Sequence, residues 1–166
     1  MMRRFALILA VVALGGCGLH PLYEGGSSGA VASGLRGITV GPIEGQPGWL
    51  VRNKLVDRLA ATGDGSARYR LDVKLDDNIT GFGIRGDRAV TRERRTLRAR
   101  YQLVELKTGT VVLDATAGSD AGIDIVSSPY ATVAAEQTAL ERLSEEVADQ
   151  IVARLALYAS RTAPSK

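Results

Sequence analysis

The sequence predicts an α+β domain, a two-layer sandwich in which two helices cover one face of a four-stranded, mostly antiparallel sheet. Three observations predict it. Apolar and polar residues alternate with period two over three consecutive segments, which is typical of half-buried strands. Two other stretches carry apolar residues every three or four positions, as amphipathic helices do. The length of 166 residues allows a single domain once a short leader is removed. The predicted order is β-α-β-β-β-α.

The first strand and helix are predicted from a change of pattern near residue 42. Residues 38–43 have strand composition and are ended by Pro42 and by the glycines that follow it. A helix then opens at Pro47 and runs to about Ala61. Its apolar residues recur at every fourth position: Val51, Leu55 and Leu59.

Three strands joined by short connections follow as an antiparallel meander. The second strand buries Tyr69, Leu71, Val73 and Leu75. Residues 78–87 are predicted as a loop because of their glycines, and the third strand runs from residue 88 to 106. Residues 107–110 make a hairpin turn, and the returning strand covers residues 111–118 with a weak continuation towards residue 125.

The last element is a long amphipathic helix over residues 130–158. The pattern also divides the chain into segments. We expect residues 1–16 to be a signal peptide that is removed, and residues 17–34 to be a lipid anchor with a flexible tether. Residues 35–160 form the domain, and residues 161–166 are a frayed tail.

The N-terminus predicts export and lipidation. Arg3 and Arg4 precede an apolar run over residues 5–14, and Gly15-Gly16-Cys17 follows it. This order is that of a secretory signal, and the run is too short to span a bilayer. The segment Leu14 to Cys17 resembles the lipobox of bacterial lipoproteins, whose cysteine is lipidated, so Cys17 is the predicted membrane anchor. By the resemblance to enteric lipoproteins, Gly18 in place of an aspartate favours the outer membrane over the inner one.

Composition and motifs argue against an enzyme. His20 is the sole histidine and Cys17 the sole cysteine, so the sequence predicts no metal and no cofactor. No nucleophile elbow or Walker sequence is present, and no G-x-G-x-x-G opens a helix. The glycine spacing of residues 81–86 (GFGIRG) is interpreted as a turn between strands. Carboxylates are scattered over the predicted strands, which leaves a glycosidase-type pair possible but favours none.

The chemical feature inside the domain is a cluster of seven arginines between residues 85 and 100. On one strand, alternate residues share a face, so five of them project together: Arg88, Arg92, Arg94, Arg98 and Arg100. Three interpretations stay open. In the first, this arginine stripe is a solvated face paired with carboxylates such as Asp72, Asp76 and Asp114. In the second, which we favour, it contacts an anionic partner or a lipid head group. In the third it binds nucleic acid, which export and the lack of aromatic residues disfavour.

The chain resembles the LptE family in its element order and domain length. It also resembles the start of the family's mature chain in the run Cys17-Gly18-Leu19-His20-Pro21-Leu22-Tyr23. Members of the family are lipopolysaccharide-assembly lipoproteins of the Gram-negative outer membrane. The resemblance implies a non-catalytic, lipid-anchored subunit that joins the β-barrel LptD in a 1:1 complex, with the domain on the periplasmic side or in the barrel lumen. It also implies an object for the arginine stripe: phosphates and carboxylates of lipopolysaccharide, or acidic side chains of the barrel lumen. We expect no nucleic-acid partner, on the grounds of export and aromatic content given above. A generic envelope adaptor of another secretion complex is the alternative, and a lipid-anchored hydrolase is a distant third.

Overall fold

The computed structural model describes residues 29–60, 66–84 and 90–162. Within these ranges the chain forms three helices and four strands. In order, the elements are α1 (Ala30–Arg36), β1 (Ile38–Val40), α2 (Gly45–Ala60), β2 (Tyr69–Ile84), β3 (Val90–Glu105), β4 (Val111–Asp124) and α3 (Pro129–Thr162).

The four strands form one sheet in the order β1-β2-β3-β4. β1 pairs parallel with β2, because α2 returns the chain to the same end of the sheet. The other two pairings are antiparallel, and Tyr101 at the centre of β3 lies between Val73 of β2 and Ala115 of β4. The tight turn between β3 and β4 has Gly109 at φ 70°, a conformation that favours glycine. The predicted α+β class and mostly antiparallel sheet are confirmed.

Alternation along the strands decides which face of the sheet is buried. The odd-numbered residues of β3 point towards the helices, and each of Leu97, Ala99, Tyr101 and Leu103 is at most 1% exposed. α2 and α3 supply the other half of this core. Burying one large apolar side chain contributes about 1.5–3 kcal/mol, so these residues fix the orientation of β3.

Helix α1 lies where the tether was expected to continue. The tether prediction covered residues 17–34, yet Val31, Ala32 and Leu35 of α1 are buried. A Cβ atom on Gly34 would lie 2.7 Å from the Cβ of Ala159, so α1 packs closely on α3. Burial of three apolar residues outweighs the small-residue composition that suggested a tether, and the domain therefore begins before residue 35. The remainder of the predicted tether, with Cys17, lies outside the described residues.

The predicted loop at residues 78–87 is wrong over its first part, because β2 continues to Ile84. Asn78, Thr80 and Phe82 each pair with a residue of β3, and these backbone hydrogen bonds outweigh the turn propensity of the local sequence. Residues 85–87 of that loop lie outside the described ranges. At the C-terminus α3 extends to Thr162, so the first two residues of the predicted tail are helical.

Smaller differences concern element ends. α2 begins at Gly45, two residues before Pro47, and β4 runs to Asp124, so the weak continuation predicted after residue 118 is a regular part of the strand. Among the described helices, none combines the length and apolar character that crossing a membrane requires.

One buried polar group in the core predicts a stability effect. Ser144 of α3 is 0% exposed, and its hydroxyl has no hydrogen-bond partner among the described residues. Because an unpartnered buried hydroxyl is unfavourable, we expect Ser144→Ala to raise the free energy of unfolding by about 1 kcal/mol. Urea unfolding followed by circular dichroism measures this.

The matched control is Ser160→Ala, since Ser160 lies on the exposed side of the same helix and donates to the carbonyl of Leu157 at 2.9 Å. That change is expected to stay within about 0.5 kcal/mol of wild type. A loss of stability in Ser144→Ala larger than in the control would contradict the argument.

Candidate functional site

The face of the sheet opposite the helices, formed by the even-numbered residues of β2, β3 and β4, is called the outer face here. Helix packing leaves it uncovered, since the core lies on the odd-numbered side. The structure places four of the five predicted stripe residues on it, all exposed: Arg92, Arg94, Arg98 and Arg100. Arg88 and Cys17 lie outside the described ranges.

Three of these arginines have carboxylate partners on β4. The Arg100 guanidinium lies 2.9 Å from Asp114 and Arg92 lies 2.8 Å from Asp124. Arg94 reaches Asp120 at 3.9 Å. The hydrogen bond from Arg100 lowers the pKa of the Asp114 carboxyl, and Gln102 supports the same shift by donating at 2.8 Å. These residues therefore fit the interpretation of a solvated, charge-paired face.

Arg94 also contacts an aromatic ring. Its guanidinium carbon lies 5.4 Å from the centre of the Phe82 ring, which is within the range of cation–π attraction. Phe82 is 38% exposed. The far end of the outer face thus presents an aromatic and a guanidinium side by side.

Arg98 differs from its neighbours. Its Nη1 donates to the carbonyl of Ser119 at 3.1 Å, and no carboxylate of the described residues lies within ion-pair distance of it. The side chain crosses Gly118, where a Cβ atom would lie 2.5 Å from the Arg98 Cδ. Glycine at 118 therefore makes room for the arginine to lie across β4.

Two more charges on the outer face have no ion pair within the described part of the chain. They are Lys74 and Asp76 of β2, and Asp76 lies opposite Arg98 in the strand register. Asp72, which sequence reasoning offered as a partner of the stripe, instead accepts from Arg70 of its own strand at 2.8 Å. The expected pairing with Asp114 does occur, whereas Asp76 makes no such pair.

These unpaired charges line an open groove of about 650 Å³ on the outer face. Its charged and polar lining consists mainly of Lys74, Asp76, Arg98, Arg100 and Thr116. Arg98 and Lys74 can attract an anionic group there, while Asp76 opposes it. The groove is open rather than enclosed, so it is suited to a surface contact rather than to an enclosed small molecule. Within the described residues, no cluster of acidic or histidine side chains could hold a metal ion.

Arg95 is one of the two arginines that the stripe prediction left aside, and it faces the helices; the other, Arg85, lies outside the described residues. It forms an ion pair with Asp77 at 2.6 Å, in which the side chains are 12% and 19% exposed. It also donates to the backbone carbonyl of Glu136 at 2.9 Å. The hydrogen bond with Asp77 raises the pKa of the Arg95 guanidinium. The sequence signal for this pair was a charge at an odd position on each of two adjacent strands, next to the apolar residues Leu75 and Leu97.

The geometry defines a class: an α+β domain with helices on one side of a long-stranded sheet and a charged, open face on the other. The profile of the LptE family, described as lipopolysaccharide-assembly, matches residues 35–155. The chain therefore belongs to the LptE family of lipopolysaccharide-assembly lipoproteins, which confirms the resemblance seen at its N-terminus. Lipoproteins of this family are associated with the cell envelope.

Solved structures agree with this assignment. The chain is 30% identical to a lipoprotein of Caulobacter crescentus, with a TM-score of 0.66, over 82% of this chain and 100% of that one. A minor lipoprotein of Acinetobacter baumannii shares the fold at 14% identity and a TM-score of 0.61, covering 79% and 97%. Rare lipoprotein B of Shewanella oneidensis shares the fold at 12% identity and a TM-score of 0.57, over 75% of this chain and 95% of that one. A search of curated protein sequences gave no significant match.

The ion pair beneath α3 predicts a coupling between two substitutions. Arg95→Met leaves the largely buried carboxylate of Asp77 without its partner, so we expect a loss of about 2 kcal/mol in the free energy of unfolding. Adding Asp77→Leu to that variant should recover more than half of the loss, because both charges are then gone. Equilibrium unfolding of the two single variants and the double variant measures the coupling, and simple additivity would contradict it.

The outer face predicts a titration. Because Arg100 is the main cause of the low pKa of Asp114, Arg100→Gln should raise that pKa towards its ordinary value, while Gln102 keeps it from returning fully. The native pair stabilises the fold above the unfolded pKa of the carboxyl and ceases to do so as the pH falls through the lower folded pKa. NMR detection of side-chain carboxyl carbons follows the titration. Arg92→Gln, which removes the partner of Asp124, is the control and should leave Asp114 unchanged.

Proposed function

We propose that this protein is an outer-membrane lipoprotein that complexes with the β-barrel LptD and assists lipopolysaccharide assembly and transport to the cell surface, without catalysis. The observation that carries the proposal is the family match, which spans residues 35–155 and hence nearly all of the described domain. The barrel partner, the outer-membrane location and the non-catalytic role are drawn from what the family does.

The outer face supports a contact with phosphates and carboxylates of lipopolysaccharide or with acidic side chains of the partner. A guanidinium matches such groups with two parallel hydrogen bonds. Arg98 leads this contact because no carboxylate of the described residues competes for it, and Lys74 lines the same groove. We therefore propose Arg92, Arg94, Arg98 and Arg100, with Arg88 on the same strand parity, as anion contacts of graded importance.

The paired arginines remain usable because their ion pairs are exposed. The side chains of Arg92 and Asp124 are 61% and 73% exposed, and such pairs contribute only about 0–1 kcal/mol. An arriving phosphate can replace a carboxylate at similarly small cost. A face built from weak, exchangeable pairs can thus pass an anionic ligand from one arginine to the next.

The anchor at Cys17 fits this role. Two or more acyl chains hold a protein stably on a membrane. From Cys17 to Gly29 the chain has twelve residue-to-residue steps, which reach at most about 40 Å. The domain therefore stays next to the membrane surface, where both a barrel and lipopolysaccharide are found.

The proposal predicts a co-purification and a binding change. The full lipidated protein, extracted in detergent, should recover a stoichiometric β-barrel protein, and it should bind lipopolysaccharide less well as salt is raised. Arg98→Glu should weaken lipopolysaccharide binding about tenfold, the effect of losing one charge-assisted contact. Surface plasmon resonance on captured lipopolysaccharide measures the binding.

Arg142→Glu is the matched control, because Arg142 is exposed on α3 and pairs only with Glu146 of its own helix among the described residues. It carries the same charge reversal away from the outer face and should bind as wild type does. Recovery of no barrel protein, together with normal surface lipopolysaccharide after depletion, would refute the proposed function. Equal losses of lipopolysaccharide binding in Arg98→Glu and Arg142→Glu would refute the role of the outer face and leave the rest of the proposed function standing.

A further inference from the structure

The sheet has two edges, and the β2 edge is open over most of its length. β1 pairs only with Tyr69, Arg70 and Leu71 of β2. The chain then leaves the sheet at Gly41 and Pro42 to form α2. Within the described residues, no strand lies beside β2 from Val73 to Ile84 on that side.

The backbone groups on this edge have a defined direction. The carbonyl of Tyr69 accepts from the Thr39 hydroxyl at 3.1 Å, and the carbonyl of Leu71 accepts from the Gly41 N–H at 2.9 Å. The odd-numbered residues of β2 therefore direct their N–H and C=O groups away from β3. The direction alternates along a strand. The backbone groups on the open edge of β2 are therefore those of Val73, Leu75, Asp77, Ile79 and Gly81.

The opposite edge, β4, is covered at Gly118. The Gln150 side chain from α3 accepts from the Gly118 N–H at 3.1 Å and donates to the Gly118 carbonyl at 3.2 Å. Next to it, the Ser119 hydroxyl donates to Glu146. Proteins commonly block edge strands with such contacts, with charged side chains, or with proline or bulges; β2 carries the charges of Lys74 and Asp76. β2 has no proline, and its register with β3 runs without a shift from Tyr69 to Phe82.

We propose that the β2 edge from Val73 to Gly81 docks an extended segment of the protein partner as an added strand. The inference rests on the proposed function in that this partner is the barrel protein. Strands in a closed barrel wall have both edges paired, so the docking segment lies outside the wall, in a loop or terminal region. Main-chain hydrogen bonds supply the attachment, as in other cases of strand addition.

The side chains along the edge specify the segment. On the outer face, Lys74 and Asp76 are exposed and have no ion pair within the described part of the chain. On the helix side, Ile79 is 40% exposed and Leu75 is partly buried. The complementary segment therefore carries an acidic and a basic residue two positions apart on one side, facing Lys74 and Asp76. It carries apolar residues on the other side, against Leu75 and Ile79.

The first test is hydrogen–deuterium exchange resolved to single amides, on the full lipidated protein alone and in its co-purified barrel complex. In the free protein the amides of Leu75, Asp77 and Ile79 should exchange quickly while those of Asp76 and Asn78 are slow. In the complex the odd-numbered amides should slow by at least roughly tenfold. Unchanged exchange in an intact barrel complex overturns the strand-docking proposal and leaves the proposed function standing.

The second test blocks the edge without touching the β2–β3 hydrogen bonds. Ile79→Pro removes one outward N–H, and Ile79→Ala keeps it while removing the apolar side chain. Gly122→Pro is the matched control, because Gly122 shares the outward parity of Gly118 on β4 and has open space around its Cβ position. Ile79→Pro should lower recovery of the barrel at least roughly tenfold, Ile79→Ala less, and Gly122→Pro not at all.

Other outcomes are equally decisive. If wild type recovers no barrel protein, both proposals fall. If the protein alone doubles in mass with concentration and its odd-numbered β2 amides become protected, the occupant is a second copy, and docking of a partner strand is refuted. If Ile79→Pro does not fold, the exchange experiment on wild type decides by itself.

Discussion

Burial of alternate residues of β3 is the constraint on which the rest of the structure depends. Leu97, Ala99, Tyr101 and Leu103 are almost fully enclosed between the sheet and the helices. A shift of one residue would expose all of them and bury the arginines between them, so the register has no nearby alternative. The outer face is therefore charged because the inner face is apolar. β2 and β4 follow the same parity, since their pairing partners on β3 are fixed.

That constraint separates the arginines into two kinds. Arg95 lies on the buried side, where its pairing with Asp77 and its contact with α3 are structural, and where loss of one partner is costly. Arg92, Arg94 and Arg100 lie in solvent, where their carboxylate partners are held weakly and can be exchanged. Arg98, lying across Gly118, has no carboxylate partner among the described residues. Position relative to the core, rather than arginine content, decides which of these residues can act on a ligand.

Strand parity, the hairpin and the long final helix could be predicted from the sequence because each is a local pattern of apolar spacing. Helix α1 could not, because its seven residues are held by contacts with α3 about 120 residues away, such as Gly34 on Ala159. The length of β2 was missed for a similar reason: pairing of Asn78 and Thr80 with β3 outweighs their turn propensity. The stripe was predictable as a shared face, but its partners on β4 depend on the β3–β4 register, which includes a shift near Leu103.

The open groove and the open edge meet at Lys74 and Asp76, which line the groove and lie on the open edge of β2. A strand docked along that edge would place its own charges opposite these two residues. Neutralising Asp76 in this way removes a carboxylate that opposes an anion at Arg98, whereas neutralising Lys74 removes a cation. The balance between the two sets the sign of the coupling between partner and ligand. Asp76 lies directly opposite Arg98 in the register, whereas Lys74 lies two pairs away, opposite Arg100. We therefore infer that pairing at Asp76 has the larger effect and that partner docking strengthens anion binding at Arg98.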